Sequence, residues 1–488
     1  AKLIKYPGHD EWTEVFDLKA DPYELKNLAA DPASADLRKQ LEADGYVQAS
    51  HRSGYFVKSR FQPPPLSKDL APKSQLPEQV SGQQMALSLS KAAADPGYTR
   101  LGAAVPAARF LPQHALQKAM QQVIKMQPAR LMQYEASRGA IELRTEIVKR
   151  MALQGAVVSP QDVIITNGCQ EALMLSLKAL TVPGDIVAIE SPAFYGLLQA
   201  LEAAGLQALT LPTDPQTGVV PEALEQALQR WPVKACVLIS NFSNPLGSLI
   251  PNTDKQRIVA ALSAKGVPLI EDDTYGDLGF TVPRPASCFA LAPQADIFYC
   301  GTFSKTISPD LRLGWVIAPK HTAKLEYLKF ISNISTAALP QLAVAKLLQS
   351  GRFERHLRQV RPLYQAAVQR ISSSIGRLFP AGTRVSQPQG GFVLWVELPA
   401  GVDGYLLAQQ ALADGQADVA YAHLTKAHQL APERHDISLW LIQAALDLNL
   451  LEEAQERLGT IPMAAQDSHF HTLSSRLALA LQAADSPE

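Results

Sequence analysis

Seven short apolar runs, separated by segments with helical periodicity, dominate the middle of this 488-residue chain. Short apolar runs of this kind are typical of strands that are buried on both faces of a parallel sheet. The alternation of strands and helices therefore predicts an α/β fold with a doubly wound sheet over about residues 95–400. The expected strands are 163–166, 185–190, 206–211, 234–240, 267–271, 296–301 and 313–318.

Polar residues that can carry chemistry follow three of these strands. Asn244 lies in Asn-Pro-Leu-Gly, Asp272 in Glu-Asp-Asp-Thr-Tyr, and Lys305 in Thr-Phe-Ser-Lys. Each motif alone is weak, because Asn-Pro-x-Gly is a common turn, acidic triplets often cap helices, and a Ser-Lys pair is usually on the surface. Open α/β sheets bind ligands beyond the carboxyl ends of their strands, so the three side chains are expected to lie close together.

In this order and spacing, the motifs, with Arg312 after them, resemble the active-site string of pyridoxal-phosphate (PLP) enzymes with the aspartate aminotransferase fold. The resemblance implies a mostly parallel seven-stranded sheet between helices. It implies that Lys305 forms a Schiff base with the PLP aldehyde and later acts as general base. It also implies that Asp272 keeps the ring nitrogen protonated, which makes PLP an effective electron sink. Desolvation can lower the pKa of such a lysine enough for it to act as a nucleophile.

The same resemblance assigns the remaining contacts to the PLP ring. Asn244 and Tyr275 would reach the ring oxygen, and Tyr275 would belong to the catalytic group with Lys305 and Asp272. Phe194 would stack on the ring, with Tyr195 as the alternative. A purely structural role, as an aromatic side chain of the core, also stays open.

The phosphate of PLP would lie at the N-terminus of the helix after strand 163–166, where backbone N–H groups point outward. The family usually has Ser or Thr at the position of Cys169, so one side-chain bond to phosphate would be lost or weakened. Tyr134 resembles the tyrosine that reaches the phosphate of a partner subunit, which would complete the site only in a homodimer. The implied phosphate-binding residues are Gly168, Cys169, Gln170, Thr302, Ser304, Arg312 and Tyr134.

Residues 36–57 resemble the last helix and the wing of a GntR-type winged helix-turn-helix. A Pro-rich linker at 58–94 joins them to the expected PLP-binding large domain at 95–337. This is the arrangement of MocR transcription regulators, and the resemblance covers about residues 36–405. The earlier helices, including the one that would enter the major groove, are absent, and a wing alone makes mainly phosphate contacts. The DNA-binding domain is therefore expected to be incomplete, which leaves DNA as a possible but doubtful partner.

Both ends of the chain resemble other families. Residues 1–35 resemble the C-terminal tail of sulfatases, without the sulfatase nucleophile motif. Residues 405–488 show a 34-residue period, in which Ala420 and Leu424 recur as Ala454 and Leu458. That period is typical of tetratricopeptide repeats, and the tail resembles the helical region of chaperedoxins. The three partial modules indicate a fusion or chimera, natural or artificial.

The aminotransferase small domain, expected at 338–404, would be truncated. It would contain a helix from Pro340 to about Ile375 and a strand at 390–397. In the family, a later arginine binds the α-carboxylate of the substrate. Arg434 and Arg457 match no family motif, so efficient transamination is not expected even if PLP binds.

Composition limits the functional classes. The formal net charge of −1 gives no electrostatic case for nucleic acid binding, and no apolar stretch is long enough to span a bilayer. Four scattered cysteines without a CxxC pair are typical of a reducing cytoplasm. The sequence thus predicts a cytoplasmic PLP-binding aminotransferase-like protein that acts on an amino acid or amine. A regulator that senses PLP or an amine and a repeat-based protein-binding scaffold are the alternatives.

Overall fold

The computed structural model describes residues 2–6, 9–16, 47–50, 54–57, 63–66, 76–80 and 104–399, then 421, 424–425, 428, 434–462, 466 and 468–484. Two antiparallel hairpins lie in the N-terminal part, β1 (Lys2–Tyr6) with β2 (His9–Phe16) and β3 (Val47–Ser50) with β4 (Gly54–Val57). The second hairpin overlaps the predicted wing. The helix predicted just before the wing and the sulfatase-like helical turn lie outside the described residues.

The large domain alternates strands and helices as the apolar pattern predicted. In chain order its elements are β5 (Glu78–Gln79), α1 (Gln113–Met126), α2 (Ile141–Leu153), β6 (Val163–Asn167), α3 (Cys169–Leu180), β7 (Ile186–Glu190), α4 (Tyr195–Ala203), β8 (Gln207–Leu211), β9 (Thr213–Asp214), β10 (Gly218–Val219), α5 (Pro221–Arg230), β11 (Val233–Leu238), α6 (Asn252–Ala264), β12 (Leu269–Asp272), α7 (Cys288–Leu291), β13 (Ile297–Thr302), β14 (Leu313–Ile317) and α8 (Thr322–Asn333).

The main sheet has the strand order β5-β8-β7-β11-β12-β13-β14-β6. The five strands from β8 to β13 in that order are parallel to one another. β14 is antiparallel to both β13 and β6, so β6 runs in the same direction as β13. All seven predicted strands are present within about two residues of their expected bounds, and β5 adds an eighth strand, antiparallel at the edge.

Successive strand side chains point to opposite sides of the sheet, and here both sides are buried. In β12, Leu269 belongs to one core cluster and Ile270 to the other, and in β13 the same holds for Tyr299 and Phe298. Strands without an exposed face explain the continuous apolar runs in the sequence.

Parts of the predicted linker contact this domain. Besides β5, the segment 63–66 packs with Leu66 buried, and the Val385 N–H donates to the Pro64 carbonyl at 3.0 Å. These two anchor points attach the described linker pieces to the aminotransferase-like region.

The small-domain part differs from the predicted single helix. It forms α9 (Ala338–Gln349) and α10 (Arg352–Leu378). Gly351, with φ +66°, adopts the left-handed conformation that separates them, which glycine does without steric cost. The strand expected at 390–397 is limited to β16 (Val396–Glu397), which pairs with β15 (Arg384–Val385).

The C-terminal part contains α11 (His435–Asp447), α12 (Leu451–Gly459) and α13 (Ser468–Ala484). They share a core of their own around Leu424, Leu441, Ala454 and Leu473. Within the described ranges, none of the helices has the length and apolar character that a membrane crossing requires.

Candidate active site

The candidate residues lie at one edge of the main sheet. Asn167, Glu190, Asp272 and Thr302 are the last residues of β6, β7, β12 and β13. Since these strands run in the same direction, their carboxyl ends meet at the edge where α/β proteins bind ligands.

Lys305 follows β13 and is largely withdrawn from solvent. Its Nζ donates to the Ala104 carbonyl at 2.8 Å, so the backbone at Ala104 lies against the amine. Burial lowers the pKa of Lys305; the charge of Asp272 opposes this shift and that of Arg312 adds to it. A lowered pKa increases the fraction of neutral amine, which is the nucleophilic form.

Asp272 is 4% exposed, and burial raises its pKa. Thr274 opposes that shift, because its backbone N–H and its hydroxyl both donate to Asp272 Oδ1, at 3.0 and 2.6 Å. The thiol of Cys169 also bonds to Asp272. Cys169, expected at the phosphate, therefore contacts the carboxylate that would hold the ring nitrogen.

The two other acids of the triplet are occupied elsewhere. Glu271 accepts hydrogen bonds from Ser240 Oγ and from the N–H groups of Cys288 and Phe289. Asp273 accepts from Asn241 Nδ2, Tyr299 Oη and Arg284. Asp272, between them, points to the opposite face of the strand and is the acid left for a ligand.

Tyr275 and Asn244 lie together as expected. Asn244 makes a side-chain hydrogen bond with the Tyr275 hydroxyl, and burial is the main reason why the pKa of Tyr275 is raised. The ring of Tyr275 packs edge-on against Phe392, with centroids 5.7 Å apart. A neutral phenol can donate a hydrogen bond to a ring oxygen.

The predicted phosphate residues form a cradle at the N-terminus of α3. Arg312 Nη1 lies 3.5 Å from Ser304 Oγ, and Nη2 donates to the Asn167 carbonyl at 3.3 Å. Thr302 Oγ1 is 3.0 Å from Ser304 Oγ. Gly168 precedes the helix with φ +83°, and a Cβ there would stand 2.3 Å from Arg312 Nη2. Two hydroxyls, a guanidinium and free helix N–H groups suit a phosphate dianion.

Phe194 reaches the same edge through the start of α4. Gln170 Nε2 donates to the Gly196 carbonyl at 2.6 Å, which ties the segment carrying Phe194 to the phosphate helix. The Phe194 ring packs against Tyr195, with centroids 4.9 Å apart. Either ring remains available for the predicted stacking.

Tyr134 lies away from these residues on the surface, with 83% of its side chain exposed. Within a single chain it is not brought to the cradle.

Two residues of the site were missed by the motif analysis. Thr274 bonds to Asp272, and Glu190 is 3% exposed, with its pKa raised to about 8 mainly by burial. Thr274 could have been suspected, because a hydroxyl two residues after an aspartate commonly bonds to it locally. Nothing in the sequence distinguishes Glu190 from a strand-end acid that faces solvent.

Residues 102–431 match the Aminotransferase class I and II family, and residues 411–477 match the Tetratricopeptide repeat family. The first match extends past the boundary near residue 405 that composition indicated. Because it includes more than half of the chain, the protein belongs to the class I and II aminotransferases, and pyridoxal phosphate is its cofactor.

Similar proteins include both regulators and enzymes. The chain is 38% identical to the uncharacterized HTH-type transcriptional regulator YdcR of Escherichia coli, over 76% of this chain and 79% of that protein. It is 31% identical to the 2-aminoadipate transaminase of Thermus thermophilus, over 75% and 90%. Among solved structures, the α-aminoadipate aminotransferase LysN of Thermus thermophilus superimposes with a TM-score of 0.59 at 29% identity, covering 67% of this chain and 86% of that one.

The residues present fit PLP. A buried carboxylate, a desolvated lysine, a phenol–amide pair and a phosphate cradle occur at one sheet edge, each matched to a different part of the cofactor.

Proposed function

We propose that this chain holds PLP on Lys305 and acts on the amino group of an amino acid or related amine. The observation that carries the proposal is the meeting of Lys305, Asp272 and Arg312 at one edge of the sheet. When bound, PLP supplies an electron sink for the carbon that bears the substrate's amino group.

Each residue has a separate task in this proposal. The Lys305 amine is the point of covalent attachment, and once released it takes and returns the substrate's Cα proton. Asp272 holds a proton on the ring nitrogen, and Asn244 and Tyr275 bond to the ring oxygen. Phe194 covers one ring face. The groups that would bind phosphate are the backbone N–H groups of Gly168, Cys169 and Gln170 at the helix N-terminus and the side chains of Thr302, Ser304 and Arg312.

The site is least well defined where it would bind the substrate carboxylate. Arg434 bonds to Asp436, and Arg457 bonds to Glu453, so both are paired within the helical tail. If neither of these two arginines binds the substrate carboxylate, the amino acid would be held less firmly for proton abstraction. We therefore expect the chain to bind PLP well and to catalyse transamination slowly.

A homodimer is part of the proposal. The helix α8 exposes Tyr327, Phe330 and Ile331, which are 64%, 54% and 59% exposed. Glu326 of α8 bonds to Ser137 and Arg138, which brings the exposed Tyr134 segment to the same surface. A contiguous apolar surface of this kind favours association. A second copy placed there could receive Tyr134 at its own phosphate cradle.

The test is intact mass after PLP addition and borohydride reduction. We expect one pyridoxyl-phosphate group at Lys305 and none in Lys305→Ala. Lys329 is the internal control, because burial also lowers its pKa but it bonds to Glu171 and Asn333. A label on Lys329, or a site-specific label in Lys305→Ala, would show that Lys305 is not the attachment point.

A regulator is the second candidate, supported by the relatives named HTH-type regulators and by the β3–β4 hairpin. The same pocket would sense PLP or an amine and move the N-terminal module. A gel shift with and without PLP tests this. Absence of a shift at low salt would end the idea, since non-specific DNA binding is strongest there.

The repeat-like tail supports a third candidate, a protein-binding scaffold. Helices α11 to α13 bury a core of their own, although about three repeats are usually needed for a stable array. Retention of an unfolded client by the full chain, lost when exposed tail residues are changed, would support it.

The four free cysteines also fit our proposal that the protein works in the cytoplasm.

A further inference from the structure

The carboxylate of Asp272 is held by its neighbour two residues on. Thr274 contributes two donors to one oxygen: its N–H lies 3.0 Å and its Oγ1 2.6 Å from Asp272 Oδ1. The N–H bond is available to any residue at this position, whereas the hydroxyl bond requires Ser or Thr. The hydroxyl bond to Asp272 therefore depends on which residue occupies position 274, and the N–H bond does not.

Two bonds to a single oxygen fix the rotation of the carboxylate. They leave Oδ2 outside the pair, and the Cys169 thiol is a further donor to the carboxylate. Hydrogen bonds to an ionised carboxylate favour the charged form and so oppose the effect of burial.

We propose that Thr274 is a positioning residue for the cofactor: its hydroxyl keeps Asp272 ionised and turned so that Oδ2 would meet the ring nitrogen of PLP. This inference rests on the proposed function, in which Asp272 binds that nitrogen. Thr274 does not itself touch the cofactor in this scheme. It acts through Asp272, and its removal should weaken PLP binding without removing the attachment lysine.

Other titratable groups also influence Asp272 and would be present in every variant. They face it from α3, from the ends of β7, β12 and β13, and from the loops beyond, and they are Cys169, Glu190, Asp273, Tyr275, Cys300 and Lys305. Because this background is constant, a change between two variants at position 274 reports the hydroxyl.

The experiment compares PLP affinity in the full-length apo-protein by fluorescence titration between about pH 5 and 9. The variant Thr274→Val keeps the shape and removes the donor, and Thr274→Ser restores the donor. We expect Thr274→Val to bind PLP several-fold more weakly, which is less than the roughly tenfold or more expected for a lost hydrogen bond to a charged group, because the bond to Asp272 is already present before PLP binds. As the pH is lowered, the PLP affinity of Thr274→Val should begin to fall at a higher pH than that of the wild type, because Asp272 takes up a proton more easily. Thr274→Ser should stay close to the wild type.

A double-mutant cycle with Asp272→Asn separates positioning from a general structural effect. If Thr274 acts through Asp272, Thr274→Val should change little in the Asp272→Asn background. An equal loss in both backgrounds, or wild-type affinity and pH dependence in Thr274→Val, would overturn the inference. Thermal melts check folding, and Thr274→Ala is the second variant, since it makes no steric demand. Absence of Lys305 labelling in the wild type would instead reject the proposed function, and the inference with it.

Discussion

The phosphate cradle makes a sharp prediction at Gly168. This residue has φ +83° and ψ 174°, a backbone region that is almost restricted to glycine. An alanine Cβ would lie 2.3 Å from Nη2 and 2.9 Å from Cζ of Arg312, well inside van der Waals contact. The guanidinium, which donates to the Asn167 and Pro309 carbonyls, is the exposed end of a flexible side chain and is therefore the group that gives way. Gly168→Ala should therefore displace Arg312 from the cradle.

The magnitude has two parts. The backbone strain should lower the free energy of unfolding by about 1–3 kcal/mol. Loss of a charge-assisted bond to phosphate should cost about 1.5–3 kcal/mol of binding, or roughly tenfold or more in the Kd of PLP. The first part affects the whole protein, and only the second is specific to the cofactor.

Gly155 is the matched control. It has φ +88°, but a Cβ there would meet nothing within 4 Å. Gly155→Ala should therefore lower stability by about 1–2 kcal/mol and leave PLP affinity unchanged. Urea unfolding measures the first quantity, and titration of the apo-protein with PLP measures the second. Wild-type PLP affinity in Gly168→Ala would refute the cradle, and equal affinity losses in the two variants would show that strain alone accounts for the effect.

Two further predictions concern pH and assembly. Burial raises the pKa of Glu190 to about 8, so between the usual carboxyl range and that value the folded protein holds a proton that the unfolded chain has released. The free energy of unfolding should thus fall as pH rises from about 4.5 to 8, by up to about 1.4 kcal/mol per unit, and Glu190→Gln should remove this part; identical urea profiles would contradict it. Ile331→Glu should shift a homodimer to monomer in size-exclusion chromatography with light scattering, whereas Leu378→Glu should not, although Leu378 on α10 is more exposed, at 71% against 59% for Ile331; two dimeric variants would exclude the α8 surface.

The sequence predicted the sheet well because its strands are buried on both faces. Short continuous apolar runs bounded by turn residues are typical of strands buried in a parallel sheet, and the position of the motifs at one edge follows from the shared strand direction. The prediction failed where tertiary contacts decide. The long helix after Pro340 is interrupted at Gly351, and a single glycine within a helical pattern is not a sufficient signal. The two-residue strand β5 has no pattern of its own and exists because β8 offers an open edge.

The candidate site also shows which features motif spacing predicts and which depend on tertiary contacts. Motif spacing identified Asp272, but the bonds that occupy Glu271 and Asp273 explain why the middle acid of the triplet is the one left for the cofactor. The direction in which a thiol points cannot be inferred from spacing, so the contact between Cys169 and Asp272 was not expected.

The residues expected to bind PLP and the part expected to bind the substrate carboxylate lie in different parts of the chain. All contacts that would hold PLP within one chain come from residues between Ala104 and Leu313, and these precede the small domain. The aminotransferase and tetratricopeptide matches overlap at 411–431, well after the residues of the proposed cradle and Lys305. A departure from the aminotransferase pattern in this region would alter the part expected to hold the substrate carboxylate, and it would not alter the cradle. The chain should therefore keep PLP binding as an independent property, whether the pocket serves catalysis or sensing.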